Sequence, residues 1–242
     1  MKLDILAIGV HPDDVELSCS GTLLKHIDMG KTAGILDLTR GELGSRGTAE
    51  TRDRESADAA KILGVGYRKN AGMADGFFTH SPDNIKKIIS YIRETKPEIV
   101  LANAKSDRHP DHGRAAKLIA DACFYSGLIK IETSDEKGQS QNPWRPKVVY
   151  HYIQDHNLEP DFVVDISPYM DKKIESILAY KTQFYNPNEA DASMPSTPIS
   201  SKAFFDFLRA KCSSYGRIAN FDFAEGYQIS RTPGINNLFD LV

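Results

Sequence analysis

The chain has 242 residues, of which 40% are hydrophobic and 26% charged, with a formal net charge of −3. That balance suits one globular domain, 1-242, and gives no electrostatic basis for holding nucleic acid or an anionic membrane surface. No apolar run approaches the roughly 20 residues of a membrane span, and Cys19, Cys123 and Cys212, scattered and without a CxxC, make neither a disulfide framework nor a thiolate zinc site and suit a reducing cytoplasm.

In chain order, "LDILAIGV" (Leu3–Val10) is nearly continuous in apolar residues and reads as a strand buried on both faces rather than as a signal peptide. Val15–Asp28 reads as one helix, Ala33–Thr39 as a second strand, and "RGELGSRGT" as a glycine-punctuated loop. Ala49–Leu63 is a charged helix with Ala57, Ala60, Ile62 and Leu63 as its inner face. Ser81-Pro82 supplies a capping hydroxyl followed by proline at the first helical position, and Ile85, Ile88, Ile89 and Ile92 carry that helix to Thr95. "EIVLAN" is another buried strand and Ala115–Tyr125 another helix. This alternation predicts an α/β fold, a mostly parallel sheet with helices on both faces. In the second half, "KVVYHYI" and "DFVVDIS" read as strands, Tyr169–Phe184 and Ser200–Tyr215 as helices, and "FDFAEGYQIS" as a last strand. Between those helices "YNPNEADASMPSTP" is a surface loop of a length that often carries function.

Two segments stand out. "VHPDDVE" (Val10–Glu16) and "RHPDHGR" (Arg108–Arg114) each hold His-Pro-Asp, and each follows a buried strand and precedes a helix. In an open α/β sheet ligands bind outside the carboxyl ends of the strands, so the two segments can converge on one rim. Pro12 and Pro110 hold the preceding histidine extended and suit a first helical turn, which makes each segment a rigid turn. The residue types are those of a metal site, since imidazole and carboxylate bind zinc at closely similar lengths of about 2.0–2.2 Å. His11, Asp14 and His112 could supply three ligands and leave a fourth position for water. Asp13 is then placed to act as general base, His109 to stabilise an oxyanion if protonated, and Asp111 to fix an imidazole tautomer. The bland alternative for either segment alone is a capped helix start. His26, His80, His151 and His156 read as structural or solvated, with His151 in a strand that could reach the rim. Arg40 and Arg46 lie in the glycine-rich loop, where planar arginine forks could meet carboxylates or simply be solvated. Glu42 is open between a supporting role and exposure, and Arg52 with Glu55 reads, from the residues alone, as a solvated i, i+3 pair.

At these residues the chain resembles the LmbE/PIG-L family of zinc-dependent N-deacetylases, whose marks are an HPDD segment after the first strand and an HPDH segment after a later one. "LTRGELGSRGTAETRDRESADAAKILGV", "WRPKVVYHYI", "FVVDIS" and "KTQFYNP" further resemble the subgroup that deacetylates N-acetylglucosaminyl malate in bacillithiol biosynthesis. The resemblance implies a Rossmann-like fold, one Zn²⁺ per chain, a small N-acetylated amino sugar as substrate, and a possible homo-oligomer. It implies His11, Asp14 and His112 as zinc ligands, Asp13 as general base, His109 as oxyanion stabiliser and Arg52 as a sugar contact. Tyr185 is a candidate for a transition-state tyrosine, and residues 186–199 for a lid. Other acetylated glycosides (a chito-oligosaccharide, a mycothiol-type precursor, an N-acyl antibiotic intermediate) remain alternatives. So do a non-catalytic metal-binding protein and a two-metal phosphoesterase.

Overall fold

β1 (Ile5–Gly9) is buried at all five positions, as its apolar run requires. Its side chains alternate between two cores. Leu6 and Ile8 pack with α4 (Pro82–Thr95) and α5 (Pro110–Tyr125), while Ile5 and Ala7 pack with α2 (Ser20–Asp28) and Leu63 of α3 (Ala49–Leu63). The computed structural model describes residues 1–185 and 195–241, and in it the sheet has the order β3-β2-β1-β4-β5-β7-β6. β2 is Ala33–Asp37, β3 Tyr67–Asn70, β4 Ile99–Ala102, β5 Val148–Tyr152, β6 Phe162–Asp165 and β7 Ala224–Ile229. The first five strands in that order are parallel, and β7 runs antiparallel to both β5 and β6. The expected architecture, α/β with a mostly parallel sheet and helices on both faces, is the one found.

Chain direction across the sheet reverses between β1 and β4, which are neighbours. This is the switch point where a crevice opens beyond the strand ends, and each HPD segment leaves from one of these two strands.

Several elements differ from expectation for physical reasons. The helix expected over Val15–Asp28 is two, α1 (Asp14–Ser18) and α2, broken at Cys19. The break lets the Glu225 carboxylate of β7 accept hydrogen bonds from the Gly21 and Thr22 amides at the start of α2, at 3.0 and 2.7 Å. Lys173 of α6 (Met170–Leu178) donates to the Glu16 and Leu17 carbonyls at the end of α1. Two sets of helix-end groups left unpaired by the break are thus satisfied. β3 is not foreshadowed at all, because "YRKN" is polar; Arg68 is buried there by a double hydrogen bond to Asp37. α5 starts at Pro110 rather than Ala115, and α6 ends at Leu178, with a turn rather than helix up to Phe184. The helix expected over Ser200–Tyr215 is α7 (Lys202–Ile218). No helix among the described residues is long and apolar enough to cross a membrane.

Candidate active site

The turn after β1 delivers His11, Asp13 and Asp14. Asp14 Oδ2 accepts hydrogen bonds from the Val10 and His11 amides at 2.9 and 3.0 Å and from Asn103 Nδ2 at 3.0 Å. These bonds fix one carboxylate oxygen and turn Oδ1 toward His112 Nε2, 3.2 Å away. Asp13, at the start of α1, has φ 126°, a backbone conformation that favours glycine. Arg52 of α3 holds it there, with Nη2 donating both to the Pro12 carbonyl and to Asp13 Oδ2 at 2.8 Å.

The turn after β4 delivers the second set. His109 caps α5, its Nδ1 accepting from the Asp111 amide at 3.3 Å, and Pro110 is the first helical residue. The three imidazoles gather, with ring centroids 4.8 Å apart for His11 and His109, 5.7 Å for His11 and His112, and 5.2 Å for His109 and His112. His11 and His112 are each held from behind. His11 Nε2 meets Asp75 Oδ1 at 3.0 Å, and His112 Nδ1 is hydrogen-bonded to Asp107. Asp111 stands further off, with Oδ2 3.7 Å from His11 Nε2 and engaged by the Gly76 amide.

Burial pushes the Asp13 carboxyl up to about 7, against the pull of Arg52. Burial also disfavours charge on His11 and His112, but their carboxylate neighbours outweigh it: Asp111, Asp14 and Asp75 hold His11 well above its ordinary value, and Asp14 and Asp107 hold His112 up to about 9. His109 goes the other way. Burial, then the charges of His11 and His112, push it down. A neutral His109 whose Nδ1 accepts from the Asp111 amide carries its proton on Nε2, and so remains a hydrogen-bond donor without being an imidazolium.

Beyond these side chains lies a cavity of about 360 Å³, walled by His11, Asp13, Asp14, His109 and His112 together with Leu43–Ser45, Arg52, Asp75, Arg108, Gln183 and Thr197–Ile199.

The family model for PIG-L, GlcNAc-PI de-N-acetylase, matches residues 6–123, which span both HPD segments. A conserved protein of Thermus thermophilus is 34% identical, with 98% of each chain covered and a TM-score of 0.83. The chain belongs to the LmbE/PIG-L deacetylase family. Among its curated relatives, the diacetylchitobiose deacetylase of Thermococcus kodakarensis is 27% identical over 96% of this chain and 84% of its own length. A probable N-acetyl-α-D-glucosaminyl L-malate deacetylase of Bacillus anthracis is 24% identical over 74% and 81%.

The donor set of this LmbE/PIG-L chain fits a metal. Zinc with imidazole and carboxylate ligands at about 2.0–2.2 Å sets its donors roughly 3.3–3.6 Å apart in a tetrahedron. His112 Nε2 is 3.2 Å from Asp14 Oδ1, and His11 Nδ1 is 3.7 Å from Asp14 Oδ2. Each histidine thus turns one nitrogen to Asp14 and anchors the other on a carboxylate, the arrangement that fixes tautomer and orientation in metal-bound histidine. The groups whose donors all lie within 4.8 Å of one another, among the described residues, are His11 with His109 and His112, and His11 with Asp75 and Asp111.

Other expected residues fall as follows. Arg52 lines the cavity, and the solvated Arg52–Glu55 pair read from the residues alone is corrected. Both are buried, Arg52 against Asp13 and Gln183, and Glu55 beneath Thr182, whose amide and hydroxyl donate to it at 2.7 and 2.9 Å. Arg46 donates to the Thr182 carbonyl at 2.7 Å, and Arg40 pairs with Asp53 and Glu50 on the outer face of α3. Glu42 accepts from the Asp75 amide at 2.9 Å. His151 is buried behind the rim and bonds the Asn103 carbonyl at 2.8 Å, bracing the residue that holds Asp14. Tyr185 is half-buried and outside the cavity wall formed by the described residues. Of the expected lid, 186–194 lie outside the described residues, while Thr197, Pro198 and Ile199 form part of the cavity wall. Sequence reasoning misses Asp75, Asp107, Asn103 and Gln154, the last with its Nε2 3.2 Å from Asp14 Oδ1 and 3.3 Å from His112 Nε2. Asp107 alone carried a signal, five residues before His112 and immediately ahead of the second segment.

Proposed function

We propose that this protein is a zinc-dependent N-deacetylase of N-acetylglucosaminides. The observation that carries the reading is Asp13: a buried carboxyl pushed to about 7, locked in place by Arg52, beside a donor set of two histidines and a carboxylate. A general base works best with a pKa near the working pH.

Zinc held by His11, Asp14 and His112 would supply Lewis acidity toward water and the acetyl carbonyl. Asp13 takes the proton from the attacking water. His109 donates its Nε2 proton in a hydrogen bond to the carbonyl oxygen as charge builds there. Arg52 keeps Asp13 aimed and ionisable. The protonated Asp13 then passes its proton to the nitrogen as the C–N bond breaks, giving acetate and a free amine.

The sequence resemblance and the Bacillus relative support N-acetylglucosaminyl malate as substrate. Arg108, which lines the cavity and pairs through Nε with Asp155 at 2.9 Å, is the cation that would meet its carboxylates. A second reading, a neutral glycoside of the diacetylchitobiose kind, is favoured by the engagement of Arg40 and Arg46 elsewhere and by the near full-length likeness to the Thermococcus enzyme. The test is acetate release from both compounds before and after chelation and zinc restoration. Chelator-sensitive release with at least a tenfold preference for the malate conjugate upholds the first substrate, and the reverse preference upholds the second. Absence of release from zinc-loaded protein with either compound overturns the deacetylase reading.

A further inference from the structure

On the α7 side of Asp14 and His112 lies a second, smaller space of about 70 Å³ that the mechanism leaves unused. Asp14, Leu17, Arg108, His112 and Ile199 wall both this space and the larger cavity, so the two meet at residues of the donor set. Away from that junction the wall is mostly apolar, built by Phe204, Leu208, Cys212 and Tyr215, with Ser18, Gln154, Asp155, Lys211 and Glu225 as its polar members. Lys211 is engaged within that wall: its ammonium donates to the His156 carbonyl at 3.3 Å and stands 5.9 Å from the centroids of the Phe207 and Tyr215 rings.

We infer that this pocket receives the acyl group of the substrate and admits chains longer than acetyl, up to butyryl. The inference rests on the deacetylase reading and names what it leaves open, the acyl specificity. The two substituents of an amide carbonyl carbon point apart. With the carbon at the donor set, the amine side with its sugar takes the large cavity, where Asp13 and Arg52 stand. The alkyl side is left the space across Asp14 and His112. A sugar placed there would set hydroxyls against Phe204 and Leu208, whereas an alkyl chain would lose nothing by leaving water. The pocket has room for roughly four water-sized groups, more than an acetyl methyl fills.

In hydrolysis of the longer amides the atoms balance as for acetyl. Water adds to the carbonyl carbon, the C–N bond breaks, and the carboxylate and amine leave with the transferred proton on nitrogen. The experiment is calorimetric titration of metal-loaded protein with acetate, propionate and butyrate, alongside amine release from N-acetyl, N-propionyl and N-butyryl glucosaminides. Each added methylene should tighten carboxylate binding about fourfold, so butyrate should bind about 15-fold more tightly than acetate. The N-butyryl substrate should be turned over within tenfold of the N-acetyl one. Cys212→Leu and Leu208→Phe fill the pocket from different positions on α7. Either variant that folds should erase the butyrate advantage while leaving acetate affinity within twofold. Equal affinity for acetate and butyrate in the unaltered protein, or an advantage that survives both fillings, overturns the inference. Turnover of the N-acetyl compound reads the deacetylase assignment separately: its absence, with the chain-length gain and its loss on filling both present, upholds the pocket and removes the reaction.

Discussion

Asp13 combines two costs at one residue: a φ of 126° and a buried carboxyl. A non-glycine residue in such a conformation costs on the order of 1–3 kcal/mol and persists only where its surroundings insist on it. Here the insistence comes from Arg52, which binds the peptide carbonyl before Asp13 and the Asp13 carboxylate together. Asp13→Asn keeps the shape and an acceptor for Arg52 but removes the basicity. Turnover should fall by about 10²–10⁴ with metal content unchanged; full activity would exclude the general-base role. The carboxylates behind the histidines act on affinity instead. Asp107→Asn should weaken metal binding by about 10–100-fold, read by competition with a chromophoric chelator, because His112 loses the partner that orients its ring. Metal must also displace a proton from His112, which stays protonated up to about pH 9 in the metal-free protein. Apparent metal affinity should therefore rise with pH, by at least roughly tenfold per unit from pH 6 toward 9, with proton release visible in buffers of different ionisation enthalpy. A pH-independent affinity would mean that His112 is not a ligand.

Among the elements, α7 closes the acyl side of the site, and its position is set where its last turn crosses the chain entering β7. A Cβ on Gly216 would stand 2.6 Å from the Phe221 carbonyl oxygen and 2.9 Å from the Phe223 amide nitrogen, both backbone atoms with no rotamer to yield. Gly216→Ala should destabilise the protein by about 1–3 kcal/mol, seen as a lowered Tm; an unchanged Tm would mean that α7 shifts freely. This crossing shows what a sequence can and cannot convey. The two HPD turns are legible because proline, strand and helix signals are local, and they place five of the site's side chains. The burial of Arg52 and Glu55 is not legible, since it is made by Thr182 and Gln183, about 130 positions away, folding over a helix face that is charged in isolation. β3 is hidden for the same reason. Arg68 sits in a strand only because Asp37, Glu16 and Tyr180 supply its partners. Asp75 follows that hidden strand, so it too goes unseen.

At the scale of the molecule, the parallel half of the sheet carries the chemistry, and the antiparallel strand β7 and helix α6 brace it through one buried ion pair. Lys173 and Glu225, both almost wholly buried, meet at 2.8 Å. Lys173 also holds the end of α1, the helix that begins at Asp14, and Glu225 holds the start of α2. Four elements from both halves of the chain thus converge on two side chains. Such a pair is not in itself a source of stability, because desolvating both charges offsets their attraction, but removing one partner strands the other. Lys173→Met should therefore cost about 3–5 kcal/mol in urea unfolding, as Glu225 is left charged in an apolar setting. Lys173→Met combined with Glu225→Gln should cost less than the single change. The amide is neutral, and its carbonyl oxygen still accepts one of the two α2 amides. If the double variant is instead the less stable, the carboxylate matters mainly as the cap of α2 and the ion pair is incidental. The same two proteins also separate bracing from chemistry, since the double variant, with α1 and α2 still seated, should retain metal at the wild-type stoichiometry.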